Sequence, residues 1–251
     1  MSSWKFFLAA SAILFAACPA TARADGIDLS LHVGGAFGNA HELGQAGNVA
    51  TAATQGPTAS GDAHVLDARG TLGAALEAQL FDMGAGLPRL LLTGGATVFL
   101  GNRLDGAFTN LHGGSAYDTG LTISRLFSVD LGVGGVFPLC RTPACVELKA
   151  AIGIDLAPHK VTSWTSDASV GSARLEGSDS KLDLFPFLAV YADVPLCSEC
   201  SARSTRLRLG VVVRSEPSAL ALSFTPTGNF YQIGVDGYLQ LEPQVGLVLP
   251  L

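Results

Sequence analysis

From Val65 to Leu80 the chain alternates without a break. Leu66, Ala68, Gly70, Leu72, Ala74, Leu76, Ala78 and Leu80 fall on one parity, and Asp67, Arg69, Thr71, Glu77 and Gln79 on the other. Successive side chains of a strand point to opposite faces, so this segment predicts a strand with one apolar and one charged face. The pattern returns in Ile27–Phe37, Leu90–Leu100, Val146–Leu156, Lys181–Leu196, Thr205–Arg214 and Tyr231–Leu241. Tyr117–Leu139 is long for one strand, and its alternation slips near Arg125-Leu126-Phe127, which suits a β-bulge. Ala219–Phe224 and Val245–Leu249 are short candidates.

Mean hydropathy is +0.38, yet past residue 24 no run of about 18 apolar residues could form a spanning helix. That combination is what a membrane β-barrel produces, because only every second residue faces lipid. The expected fold is all-β: an antiparallel up-and-down transmembrane barrel of about eight strands, with ten as the fallback.

Residues 1–24 read as a signal peptide, with Lys5 at the start, an uncharged run from Phe6 to Ala17, and Ala22-Arg23-Ala24 as a small-x-small cleavage site. A lipoprotein signal at Cys18 fits poorly beside Phe15 and Pro19. Residues 25–251 would then form one barrel domain. Cleavage removes two basic residues from the 15 and none of the 21 acids, leaving a formal charge of −8. Nucleic acid is therefore not an expected partner, since it needs a basic surface. The expected partners are outer-membrane lipid and the barrel-insertion machinery.

Polar stretches at 39–64, 101–116 and 157–180 read as long loops, and those at 82–89, 140–145 and 197–204 as short turns. Bacterial barrels carry long loops outside and short turns in the periplasm. Starting the first strand upward satisfies that rule throughout. Phe81, Phe137 and Tyr191 fall near periplasmic strand ends, and Phe37, Phe99, Tyr117 and Tyr231 near outside ends, as two aromatic girdles would. In this pattern the chain resembles small outer-membrane barrels of the OmpA/OmpX/OmpW type. The resemblance implies localisation in the outer membrane. The terminal series Val245, Leu247, Leu249, Leu251 matches only part of the aromatic-ended insertion signal of such barrels.

Inward positions comprise Asp67, Arg69, Glu77, Asp130, Glu147, Lys149, Asp155, Asp183, Arg206, Arg208 and Asp236. Buried charges need partners, and a lumen of about eight strands is just wide enough for side chains to fill, so the favoured reading is a salt-bridged plug. Arg206 and Arg208 would pair with carboxylates such as Asp183 or Asp236. Cys140, Cys145, Cys197 and Cys200 fall in two predicted periplasmic turns, where disulfides persist. Local pairs need the least rearrangement; a four-thiolate zinc site or a redox pair are the alternatives. His41, His64, His112 and His159 match no metal spacing, and no cofactor is expected. Neither Gly-x-Ser-x-Gly nor His-Glu-x-x-His occurs, so no enzyme is expected. The expected role is structural or loop-mediated at the cell surface. One alternative is a narrow pore for small solutes or ions. Another is a soluble lipocalin-like carrier with its faces inverted, charges out and Leu and Val in.

Overall fold

A computed structural model describes residues 24–48, 59–80, 89–101, 104–112, 115–140, 145–167, 174–196, 204–215, 219–224 and 229–251. The expected leader, save Ala24, and Cys197 and Cys200 lie outside the described residues. The strands are β1 (Ala24–Asn48), β2 (Ala59–Leu80), β3 (Arg89–Leu100), β4 (Leu104–His112), β5 (Ser115–Arg125), β6 (Phe127–Pro138), β7 (Glu147–Asp167), β8 (Arg174–Pro195), β9 (Arg206–Ser215), β10 (Ala219–Phe224) and β11 (Asn229–Pro250).

Eight of them close a ring in the order β7, β6, β3, β2, β1, β11, β9, β8 and back to β7, every neighbour antiparallel. The other three continue ring strands after a break. β4 follows β3 past Gly101, whose φ of 80° lies in the left-handed region open to glycine. β5 precedes β6 across Leu126, where the alternation slips; the Leu126 carbonyl accepts from the Phe99 N–H at 2.9 Å. β10 follows β9.

The register fixes the size of the ring. A path from Glu147 through Asp193, Arg208, Gly246, His32, Gly73 and Thr97 ends at Ser128, next to Val129, the partner of Leu156. It thus returns to β7 opposite position 157, ten residues above its start at 147. Eight strands with that stagger tilt by about 40° and place the backbone about 8 Å from the axis. Each residue then climbs about 2.5 Å along the axis. The exposed apolar row of β1, from Ile27 to Phe37, spans roughly 25 Å, the height of the lipid-facing band of an outer-membrane barrel.

Around the ring the outward rows are exposed Leu, Val, Ile and Phe, including Leu31, Val33, Leu72, Ile152, Leu188, Leu209 and Leu247. The inward rows hold buried Arg, Lys, Glu, Asp and Gln. This overturns the inverted, lipocalin-like arrangement.

The strands outrun the band. β1 has 25 residues and β8 has 22, so most of 39–64, 101–116 and 157–180 is strand and not loop. His41, His64, His112 and His159 accordingly lie on β1, β2, β4 and β7. A ladder needs only paired backbone groups. Once a strand leaves lipid its outward row no longer has to be apolar, and the alternation vanishes while the strand continues. Residues 231–241 and 245–249 are likewise one strand: the outward row from Leu239 to Leu247 passes through Pro243, the β9 ladder runs through it, and the β1 ladder resumes on either side.

Above the band the ring flattens. β4, β5 and the upper parts of β7 and β8 form one layer, and β2, β1, β11 and β10 the other. β4 lies against β1 and β2, β5 against β11, and β10 against β7.

Candidate functional site

The inward charges gather in two layers. In the layer nearer the short turns, the periplasmic one in the expected orientation, Arg208 of β9 grips two carboxylates. Its Nε and Nη2 donate to Asp193 of β8 at 2.7 and 2.8 Å, and Nη2 donates to Glu77 of β2 at 2.9 Å. A further bond joins Nη1 to Glu77. Lys149 of β7 lies 2.7 Å from Glu77, 2.8 Å from Asp193 and 3.7 Å from Asp28 of β1. β2 and β8 stand opposite one another in the ring, as do β7 and β1, so the contacts of Arg208 and Lys149 with Glu77, and of Lys149 with Asp28, cross the lumen, while Asp193 is held by its neighbours on β9 and β7. Below them Glu147 binds both Arg206 and Arg89. The Arg208 guanidinium sits 4.4 Å from the Tyr191 ring centre, a cation–π contact.

The outer layer is built around Arg214 of β9. It lies 3.1 Å from Glu242 of β11, 3.2 Å from Asp155 of β7 and 3.9 Å from Asp130 of β6. Arg125 pairs with Asp155 and lies over the rings of Phe99 and Phe185, at 4.7 and 5.7 Å. Gln240 and Gln244 donate to Glu242. The inward rows also hold small neutral side chains: Ser30, Thr71, Thr97 and Ser128 are buried. Taking charges out of water costs several kcal/mol per ion, and only pairing this close offsets that cost.

Glycines make room for large inward side chains in so narrow a ring. A Cβ on Gly132 would stand 2.8 Å from the Phe187 ring, and one on Gly73 or Gly246 would press on His32.

Of the inward residues expected from the sequence, Glu77, Glu147, Lys149, Asp155, Arg206 and Arg208 are buried and paired inside the lumen. Asp130 joins the outer layer, and Arg69 is buried 5.8 Å from the Phe99 ring centre. Asp183 is not a partner of either arginine: its side chain is 44% exposed and lies 3.5 Å from His159. For Asp67 and Asp236 only the backbone is described. A register shift between Asn39 and Ala40 separates position 236 from the inward row of Gln240, Glu242 and Gln244, so parity does not carry across. Arginines 206 and 208 pair instead with Glu147, Glu77 and Asp193.

Arg89, Arg125, Asp193 and Glu242 complete the layers without having been expected there, and Asp28 and Arg214, which alternation puts on the polar faces of their strands, belong to them as well. Parity could have found Asp193, which shares its row with Phe187 and Tyr191 and pairs in register with Arg208. Glu242 was hidden by the division of the last strand. Two girdle assignments fail for the same reason: Phe99 is 2% exposed and Tyr191 contacts Arg208, so both face the lumen. Phe37 and Phe137 are exposed on the lipid side, while Phe81, Tyr117 and Tyr231 have no described side chain.

At the periplasmic end Cys140 and Cys145 form a disulfide, with Cα atoms 5.6 Å apart. The turn it closes is also held by the Leu139 N–H donating to the Val146 carbonyl at 3.0 Å. The bond commits two of the four thiols that a zinc site would need.

A closed antiparallel ring, an apolar belt of membrane height and a charged interior define an integral outer-membrane β-barrel. No family model and no curated protein matches the chain. Among solved structures it is similar to the outer membrane protease OmpT from Escherichia coli, with 8% identity and a TM-score of 0.41, over 93% of this chain and 99% of that one. It is also similar to Neisserial surface protein A, with 9% identity and a TM-score of 0.35, over 91% of this chain and 99% of that one. A third similar structure is a major outer membrane protein from Thermus thermophilus, with 18% identity and a TM-score of 0.38, over 86% of this chain and 99% of that one.

Proposed function

We propose that the protein is a non-conducting surface barrel: two ionic layers close its lumen, and the two-layered outer head carries its role at the cell surface. The carrying observation is that Arg208 of β9 and Lys149 of β7, the two neighbours of β8, both reach across the ring to Glu77 of β2 while also holding Asp193 beside them. Side chains that meet across the axis leave no through path for a hydrated ion. The barrel-insertion machinery would assemble the chain after removal of residues 1–24, and lipid would be its constant partner.

Conductance in planar bilayers tests this reading. The unaltered protein is expected to give no current steps. A variant combining Glu77→Ser, Lys149→Ser and Arg208→Ser with Asp155→Ser, Arg214→Ser and Glu242→Ser should give steps, because it removes the central charges of both layers. Regular steps from the unaltered protein would instead establish the narrow-pore reading.

A further inference from the structure

In the outer head, β8 stands apart from its neighbours. Every residue from Glu176 to Leu182 is exposed, at inward and outward positions alike. β8 pairs with β7 from Arg174 to Asp193, but with β9 only from Phe187 to Pro195. β10, the continuation of β9, pairs with β11. From Gly177 to Pro186 one edge of β8 is therefore without a ladder partner among the described residues. The sequence explains where pairing stops. Pro186 has no N–H to give a ladder, and β9 runs into Glu216-Pro217 just past Ser215.

We propose that the β8 edge Gly177–Pro186 accepts an extended basic peptide segment as an added β-strand. An unpaired row of backbone donors and acceptors is a template for another strand. Charged side chains normally protect such an edge. Here they select a partner of opposite sign, because Asp179 and Asp183 share one face of the strand with Lys181 between them. On the other face Leu182 and Leu184 are 53% and 63% exposed, offering apolar contact near the membrane surface.

A second copy in the same membrane does not fit. A two-fold axis along the membrane normal would cross two strands tilted by about 40° at roughly 80°, far from any ladder. The proposal does not depend on whether the lumen conducts.

The test uses the full barrel in neutral phosphatidylcholine vesicles and a fluorescent heptapeptide of alternating lysine and valine. A second peptide has the same sequence but is N-methylated at alternate residues along one edge, which removes hydrogen bonds and keeps the charge. Anisotropy should show saturable binding, at least tenfold weaker for the N-methylated peptide. Binding should also weaken at least tenfold in the Asp179→Lys/Asp183→Lys variant, whose fold is checked by heat-modifiable migration. In the unaltered protein the peptide should slow amide exchange within 177–186. Equal binding of both peptides would overturn the proposal as charge attraction alone, and so would absence of binding or unchanged exchange.

Discussion

Arg208 has no substitute within reach in the periplasmic layer. Glu77 and Asp193 both depend on it, and Lys149 alone would have to neutralise two buried carboxylates in its absence. Removing one partner from a buried ionic group typically costs about 3–5 kcal/mol, so Arg208→Ala should lower unfolding stability by that order, read from urea titration in vesicles. Replacing all four side chains together by apolar residues, with Asp28→Asn in the same chain, should cost far less, since no charge is then stranded. Gly132 makes the complementary point. Gly132→Ala would crowd the Phe187 ring and should cost about 1–3 kcal/mol in the same titration, a cost that Phe187→Leu in the same chain should relieve.

At the scale of the strand, lipid decides what the sequence reveals. Within the band, Ile27 to Phe37 and Leu66 to Leu80 alternate because one row must face hydrocarbon, and there both the strands and the inward charges could be read by parity. Above the band nothing requires an apolar row, so β1 continues to Asn48 and β7 to Asp167 with sequences that read as loops. Which carboxylate meets which arginine depends on stagger between strands distant in sequence, and no local pattern carries that. The difference is measurable. Leu31→Arg, facing lipid near mid-band, should cost about 2–4 kcal/mol, whereas Ser178→Arg, on the exposed extension, should stay within roughly 0.5 kcal/mol. The Cys140–Cys145 bridge closes a turn already held by a backbone bond. By loop closure alone it adds roughly 2 kcal/mol, so Cys140→Ser/Cys145→Ser should still fold, with a lower urea midpoint.

For the molecule as a whole, the expected orientation rests on the two unlike ends: short turns and the disulfide at one, the flattened head at the other. In a background with cysteines 140, 145, 197 and 200 replaced, Ser178→Cys should react with an impermeant thiol reagent on intact cells. Ser204→Cys should react only after the outer membrane is breached. The reverse labelling would place the head in the periplasm.

The cross-lumen pairs also have a mechanical meaning. Lateral pressure in a membrane tends to make a thin ring oval, and an oval ring must lengthen one diameter. Glu77, Lys149, Asp193 and Arg208 act as spokes against that lengthening, and the Arg214 layer acts the same way higher up. Beyond those layers, where β5 comes to rest on β11, the wall is free to collapse onto itself. The cross-section of the barrel is thus set by where its spokes end.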